Sequence, residues 1–437
     1  MLAIGLGILT VFFALLAPSL YLLLYGVFAA DRDGYAFLQL FSIFSINFKF
    51  LTRAGFLLSY VVISLIFIKR YHRFPRTIRW MINTIQLLSL YILIVSLAKG
   101  ENIERSLSFL VYSGLPAYVI WVVSSFGRRT IIWLYMFIFL QITIAGAVLL
   151  VPELSFINGG NYKQIEGISV VEMDGVNLGT SFDKNQIGGF GQFHNPNALG
   201  FYAAISIALG LVTYRLLEIG TLSKLLGIYL VLMGTFCWLN SLTRGPLLML
   251  LIGIVFCSIF IPKIDSRISK KRINWRGFIL IFGLIILASA TGVMSYLTPD
   301  SSNISVAGRV DGYIAGLDAA TLNPLLGISS SWVWPDLAYP HLLPLSFAAE
   351  YGILGGFLIF VIIFIGGFLT MRKAVMNSKA TPNKNQIYYL VIYLIMIIWG
   401  AALTNNLIAP ILFWIAFGEA MLLAYGFDNK KYKKFDK

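Results

Sequence analysis

Residues 346–370 read SFAAEYGILGGFLIFVIIFIGGFLT, and this stretch contains a single charged side chain, that of Glu350. A helix rises about 1.5 Å per residue, so a helical run of this length spans about 37 Å. The hydrocarbon core of a bilayer is about 30 Å thick. The stretch therefore predicts a transmembrane helix.

Similar apolar runs recur along nearly the whole chain. Of its 437 residues, 58% are hydrophobic and 12% are charged, and the mean hydropathy is +0.82, whereas soluble domains carry about a quarter charged residues. We therefore expect a single all-α, polytopic integral membrane domain over residues 1–437, with about twelve transmembrane helices. The predicted spans are 3–29, 52–68, 80–98, 106–126, 131–151, 188–212, 225–241, 245–262, 277–297, 346–370, 386–404 and 408–426. The segment 36–50 fits either an interfacial helix or part of a crossing.

The distribution of Lys and Arg indicates the orientation, because short cytoplasmic loops carry the excess of these residues. Most of the 33 Lys and Arg residues fall on one side of the predicted spans, notably in 69–79, in 263–276 and in the C-terminal tail. We therefore expect both termini in the cytoplasm and two longer loops, 152–187 and 298–345, on the external face. The net charge of +14 fits this topology and contact with membrane lipids better than nucleic-acid binding.

His341 is the first candidate for chemistry on the external face. It lies at the end of the 298–345 loop between Pro340 and Pro344, and Pro344 suits the first turn of the helix that follows. The positive end of the helix macrodipole disfavours imidazolium, so a neutral ring that accepts a proton is favoured. Glu350 follows within the helix, where a buried carboxylate requires a partner. The structural alternative is an interfacial loop histidine and a glutamate that lines the membrane surface.

Two arginines on the external face oppose the general charge bias. Arg244 lies in LNSLTRGPLL (239–248), a tight turn between two predicted spans, and Arg309 begins an amphipathic helical pattern that ends near Asn323 and Gly327. A guanidinium stays charged and binds two phosphate oxygens through its planar fork, so a pair of arginines suits pyrophosphate. The alternative for each is an arginine that braces a loop or extends to the membrane interface.

Sequence blocks within residues 185–370 follow the order found in a known family. GGFGQFHNPNALG (188–200) resembles the family's Gly-x-Phe-x-Asn-Pro-Asn block, and SLTRGPLL (241–248) resembles its Thr-Arg-Gly turn. GRVDGY (308–313) followed by NPLLGIS (323–329) resembles its Arg-x-x-x-Trp helix and Pro-x-x-Gly-x-Gly turn.

The fourth block consists of His341, Glu350, Gly352 and Gly355, which keep the spacing of the family's His, Glu, Gly and Gly. With these four blocks in order, the chain resembles the O-antigen ligase and O-antigen polymerase superfamily of bacterial membrane glycosyltransferases. It departs from the family pattern at three positions, namely Tyr313 in place of Trp, Ser329 in place of Gly, and Leu342 in place of the Asn that commonly follows the histidine.

The resemblance implies transfer of a glycan from undecaprenyl pyrophosphate to an acceptor hydroxyl, with inversion at the anomeric carbon and without a metal or another cofactor. The site would face the periplasm or exterior of the bacterial inner membrane. Arg244 and Arg309 would bind the donor pyrophosphate, and His341 would deprotonate the acceptor. Supporting roles are implied for Glu350, Asn197 and Tyr313. The family block needs no histidine at position 194, so His194 is a candidate for substrate contact rather than for catalysis.

The acceptor distinguishes two activities that the sequence leaves open. A polymerase uses a second lipid-linked glycan, whereas a ligase uses the lipid A core, another lipid or a protein. No segment marks a dedicated acceptor domain, which weakly favours a polymerase.

A transporter or flippase of lipid-linked saccharides is an alternative of another class. Such folds often show internal repeats, and ionisable residues or broken helices near the bilayer midplane. The sequence shows no repeat, and Glu419 is the charged residue that lies well inside a late predicted span. A membrane scaffold would account for the hydrophobicity but not for the four blocks.

Overall fold

The structure is a computed structural model, and it describes residues 74–100, 128–151, 161–165, 168–173, 176–177, 196–216, 221–241, 245–261, 304–328, 340, 342–381, 385–404 and 411–425. Helices make up most of this part of the chain. They are α1 (Arg76–Ala98), α2 (Arg128–Leu150), α3 (Pro196–Leu216), α4 (Thr221–Ser241), α5 (Gly245–Phe260), α6 (Ile304–Leu322), α7 (Leu343–Phe360), α8 (Gly366–Ala380), α9 (Asn385–Thr404) and α10 (Ile411–Tyr425). A π-helical segment, Val361–Ile365, joins α7 to α8.

The helical character predicted from the apolar runs is confirmed. Among the described residues, four helices are long and apolar enough to cross a membrane: Arg76–Ala98, Thr221–Ser241, Leu343–Ala380 and Asn385–Leu403. Shorter apolar helices coincide with four more predicted spans: Ile131–Ala147, Leu199–Thr213, Gly245–Phe260 and Leu412–Tyr425. The predicted spans 3–29, 52–68, 106–126 and 277–297 lie outside the described residues, as do both chain termini.

Helix α9 lies at the centre of the described bundle, where it packs against α3, α5, α8 and α10. All its side chains from Leu390 to Ile398 are buried, as expected for a helix that is apolar on every side. On α4, by contrast, Leu222, Leu225 and Ile228 are 62%, 59% and 57% exposed. Outward-facing apolar side chains are compatible with contact with lipid tails, which are as apolar as leucine.

Helices α3 and α4 approach closely because glycines face each other. A Cβ atom added to Gly210 would lie 2.7 Å from Gly227 O, and one added to Gly227 would lie 3.0 Å from Gly210 O. Ser206 Oγ donates a hydrogen bond of 2.8 Å to Leu230 O across the same contact. Small residues and short polar contacts of this kind are typical of helix packing in membranes.

Helix α7, the π-helical segment and α8 form one apolar unit of 38 residues, Leu343–Ala380. A proline occupies the first turn, as predicted for Pro344, and the unit continues past the predicted end at residue 370. Trp399 of α9 donates a 3.0 Å hydrogen bond from Nε1 to Ile363 O within the π-helical segment. A π-bulge leaves backbone carbonyls imperfectly paired, so this donor stabilises the irregular turn.

Contacts between helix ends define two ends of the bundle. At one end, Asn377 Nδ2 donates to Ala424 O at 2.9 Å, which joins the ends of α8 and α10. At the other end, Lys99, which follows α1, contacts residues that follow α6 and residues of α7. We call this the Lys99 end. Each set of contacts joins segments that the predicted spans place on the same side.

Three short strands lie within the segment 152–187, for which the sequence predicted only an external loop. Strand β1 (Asn161–Ile165) pairs antiparallel with β2 (Ile168–Met173), and β2 pairs with β3 (Val176–Asn177). The residues ISVVEM of β2 include three β-branched side chains, which favour strands. A small antiparallel sheet thus accompanies the helices.

Candidate functional site

The structure describes part of the predicted site. The side chains of Glu350 in α7 and Tyr313 in α6 are described, and both are partly buried. For Arg309 in α6 and Asn197 at the start of α3, the structure describes the backbone. Three predicted residues lie outside the described residues: His341, Arg244 and His194.

Pro340, the residue before His341, packs against α6. A Cβ atom added to Gly316 of α6 would lie 2.9 Å from Pro340 Cβ and 3.0 Å from Leu345 Cγ. Arg309 precedes Gly316 by about two helical turns, so the two Cα atoms lie on the same face of α6. That face of α6 is therefore turned toward the start of α7, where His341 follows Pro340 in the chain.

Arg244 directly precedes Gly245, the first residue of α5. Gly245 and Pro246 contact α9 closely, because a Cβ atom added to Gly400 would lie 2.7 Å from Gly245 O and 2.9 Å from Pro246 Cα. Gly400 lies in the last two turns of α9, which ends at Thr404. The Gly-Pro pair of the second sequence block thus fixes the start of α5 against the end of α9.

Residues Asn323–Gly327, which we call the NPLLG turn, follow α6 where the sequence predicted its end. Asn323 organises the turn, since its Oδ1 accepts a hydrogen bond from Leu326 N at 3.1 Å and its carbonyl accepts one from Gly327 N at 2.8 Å. Such side-chain bonds to the nearby backbone are why asparagine favours turns. Gly327 has a φ of 71°, a left-handed conformation that glycine adopts without strain.

Helix α7 is broken after about two turns, which the sequence did not predict. Tyr351 has φ −124° and ψ 15°, and Gly352 has φ 77° and ψ 170°, a conformation that is essentially restricted to glycine. Glycines in membrane helices commonly admit a neighbouring helix, but Gly352 admits the NPLLG turn instead. A Cβ atom added to Gly352 would lie 2.7 Å from Pro324 O, which accepts a hydrogen bond of 2.8 Å from Ile353 N.

The contact between the turn and the broken helix is reciprocal. A Cβ atom added to Gly327 would lie 2.6 Å from Ala349 O, and Ile328 N donates to the same oxygen at 2.7 Å. We call the NPLLG turn, Ile328 and the break at Tyr351–Gly352 together the α7 junction. Ala319, Ile328 and Ala349 form a small buried cluster at this junction. The third and fourth sequence blocks therefore meet through backbone atoms.

Tyr91 of α1 and Lys99, which directly follows α1, complete the junction, and neither was predicted from the sequence. Lys99 Nζ donates to Ile328 O at 2.9 Å and to Glu350 O at 2.7 Å, and it lies 5.2 Å from the centroid of the Tyr351 ring. Tyr91 Oη lies 2.8 Å from Leu325 O and 2.7 Å from Tyr351 O. The sequence did contain a signal for Lys99, because it falls on the predicted external side, where Lys and Arg are few.

The break leaves Leu343–Glu350 as a short half-helix held at both ends. Its start packs on α6 through Pro340 and Leu345, and the carbonyl oxygens at its carboxyl end accept hydrogen bonds from outside the helix. A cation at a helix carboxyl terminus is electrostatically favourable, and Lys99 provides it. The arrangement can hold side chains rigidly at the Lys99 end of the bundle, including that of Glu350.

Metal ligation and similarity to known proteins give no further indication of the chemistry. Within the described ranges, no three side chains of His, Cys, Asp or Glu group as metal ligands would. A comparison with protein-family models and another with curated proteins found no match to this chain.

Proposed function

We propose that this protein transfers a glycan from undecaprenyl pyrophosphate to an acceptor hydroxyl at the external face of the bacterial inner membrane. The observation that carries the proposal is the α7 junction. It joins the NPLLG turn of the third sequence block to Glu350 and Gly352 of the fourth block, although about 25 residues separate them in the chain. Sequence blocks that belong to one site should converge in this way, and the contact therefore supports the resemblance to the O-antigen ligase and polymerase superfamily.

In this proposal the arginines act on the donor. Arg244 and Arg309 bind the two phosphates and stabilise the negative charge that develops as the lipid pyrophosphate leaves. Supporting geometry comes from their neighbours, because Gly245 is held against α9 and the α6 face that bears the Cα of Arg309 is turned toward Pro340. No metal ion or cofactor is invoked for the transfer.

His341 acts on the acceptor. Its neutral imidazole accepts the proton of the acceptor hydroxyl while that oxygen attacks the anomeric carbon. The new glycosidic bond forms as the bond from the anomeric carbon to the pyrophosphate oxygen breaks, and the electron pair leaves with the lipid pyrophosphate. Attack opposite the leaving group inverts the anomeric centre. Supporting roles are proposed for four further residues: Glu350, Asn197, Tyr313 and His194.

The proposal includes a topology of about twelve spans with both termini in the cytoplasm and the Lys99 end outside. The position of the helix break is compatible with it. About 28 residues of the Leu343–Ala380 unit follow the break, and as a helix they would extend about 42 Å. This exceeds the hydrocarbon core of about 30 Å, so the residues after the break suffice to cross it. In the proposed topology the break would then lie near the external membrane boundary, where the pyrophosphate of a lipid donor would lie.

The break also favours the second candidate, a transporter or flippase of lipid-linked saccharides, because broken helices are typical of transporters. Their breaks, however, lie near the bilayer midplane, where substrate binds. The break at Tyr351–Gly352 lies eight or nine residues into a 38-residue unit, and the transferase therefore remains the preferred proposal. Glu419, which is fully buried in α10, is a candidate residue for a transport mechanism.

A purified protein in nanodiscs, incubated with a radiolabelled lipid-linked repeat unit, tests the proposal. A ladder of products without an added acceptor would identify a polymerase, and a single product that requires an added acceptor would identify a ligase. We expect His341→Ala to lower turnover by about 100-fold to 10,000-fold with donor binding retained. His72→Ala, a histidine in the predicted cytoplasmic segment 69–79, is the matched control and should be as active as the wild type.

Three results would count against the assignment. Normal turnover in a folded His341→Ala protein would remove the general base. If the wild type forms no product with any acceptor, the transferase proposal fails. Movement of the labelled lipid across the bilayer of proteoliposomes, without product, would instead establish the flippase.

A further inference from the structure

The carboxyl end of the half-helix Leu343–Glu350 contacts α1 and the residue that follows it. In an unbroken helix, the carbonyl oxygens of Ala349, Glu350 and Tyr351 would accept hydrogen bonds from amides one turn later. At the break, Ile328 N, Lys99 Nζ and Tyr91 Oη contact these three oxygens at 2.7 Å each. Two of these three groups belong to α1 or directly follow it.

Lys99 and Tyr91 also hold the opposite side of the α7 junction. Lys99 Nζ donates to Ile328 O at 2.9 Å, and Tyr91 Oη contacts Leu325 O at 2.8 Å. Each side chain therefore bridges one carbonyl oxygen on the turn side to one on the broken helix. The Lys99 bonds are charge-assisted, and such bonds are roughly twice as strong as neutral ones.

We propose that Lys99 and Tyr91 are positioning residues of the transferase site. By bridging the α7 junction, they fix the half-helix that carries Glu350 and follows His341 relative to α6, which carries Arg309. This inference rests on the proposed function, in which groups on the half-helix and on α6 act on one donor and one acceptor. A misplacement of about 1 Å between reacting groups costs about 100-fold in rate, so loss of a bridge should act on the chemical step.

Variants of Lys99 separate positioning from simple packing. Lys99→Met keeps an aliphatic chain beside the Tyr351 ring but removes both hydrogen bonds, and we expect kcat to fall about 10-fold to 100-fold. The KM for the lipid-linked donor should stay within about threefold, because Arg244 and Arg309 do not lie on the half-helix. Lys99→Arg should recover much of the loss, since a guanidinium can donate to two carbonyl oxygens at once.

Tyr91→Phe provides a second test that removes only a hydroxyl group, and a smaller fall in kcat is expected. Its matched control is Tyr229→Phe, because the Tyr229 hydroxyl joins two other helices through a 2.6 Å hydrogen bond with Thr143. Lys379→Met, at the opposite end of the bundle on the exposed surface of α8, is the control for Lys99→Met. Both controls should retain the kcat and KM of the wild type.

Hydrogen exchange supplies a readout that does not depend on activity. The amides of Ile328 and Ile353 donate across the α7 junction, so peptides that contain them should exchange faster in Lys99→Met and Tyr91→Phe than in the wild type. Wild-type exchange and wild-type kcat in both variants would overturn the inference and leave the transferase proposal standing. Faster exchange with an unchanged kcat would also overturn the positioning role.

A failure of the proposed function would give a different set of results from a failure of this inference. If the wild type transfers no glycan, the role in catalysis fails together with the transferase proposal. Faster exchange in Lys99→Met would then still assign Lys99 to holding the half-helix. Partial recovery of kcat in Lys99→Arg, together with recovered protection of Ile328 and Ile353, is the result that supports the inference in full.

Discussion

Gly352→Ala is the substitution that tests the α7 junction most directly. At φ 77° and ψ 170°, a residue with a side chain is strained by about 1–3 kcal/mol. The added methyl group would also meet Leu325 C and Pro324 O at 2.7 Å each, and because both are backbone atoms, the whole turn must move. Movement of the turn would weaken the hydrogen bond from Ile353 N to Pro324 O and the other hydrogen bonds of the junction. Each such bond contributes about 0.5–1.5 kcal/mol to stability. We expect a loss of roughly 3 kcal/mol or more in the free energy of unfolding.

Gly100→Ala is the matched control for this substitution. Gly100 also has a positive φ, 66°, but among the described residues no atom lies within 4 Å of an added Cβ. It therefore carries the backbone strain, about 1–2 kcal/mol, without the steric clash. The melting temperatures of both variants and the wild type can be measured by intrinsic fluorescence in one detergent. If Gly352→Ala melts at the same temperature as Gly100→Ala, the tight contact at the junction is refuted.

Two further predictions concern the arginines and the topology. Arg244→Ala and Arg309→Ala should each abolish or severely reduce glycan transfer. The lysine variants should recover little activity, because an ammonium group lacks the two-pronged geometry of the guanidinium. Wild-type turnover in the lysine variants would show that charge alone suffices. Single cysteines introduced into 298–345 should react with a membrane-impermeant thiol reagent in intact cells, and those in 263–276 should not, with low background because both native cysteines are buried. The reverse labelling pattern would invert the topology.

Hydrophobicity was sufficient to predict the helices but not their irregularities. The length and apolar composition of a membrane helix are visible in the sequence. Each span predicted over described residues coincides with a helix. The break at Gly352 gives no such signal, because the apolar run continues through it without interruption. Its cause lies outside the run, in the NPLLG turn that docks there. The π-helical segment is similar, since Trp399 of a different helix supplies the donor for Ile363 O.

Side-chain chemistry was the signal that identified candidate site residues in the sequence, and their roles stay predictions. Arginines and a histidine in segments predicted to lie on the side with few cations stand out in a sequence, and Glu350 stands out in an apolar run. Lys99 shared that signal but belonged to none of the four blocks. Tyr91 lay within a predicted span, where a tyrosine looks like one more core residue. Hydrogen bonds across more than 200 residues of chain depend on tertiary packing, and periodicity does not reveal them.

The residues that form the α7 junction differ from those proposed to act on the donor and acceptor. Gly327, Gly352, Lys99 and Tyr91 bind backbone atoms or make room for them, and none of these contacts uses the side chain of Glu350. Substitutions in the holding group should therefore lower stability or amide protection together with kcat. Substitutions in the acting group should lower transfer in a protein that melts as the wild type does, because their side chains are proposed to bind donor and acceptor rather than the junction. Melting temperature, exchange and turnover measured on the same variants thus distinguish the two groups.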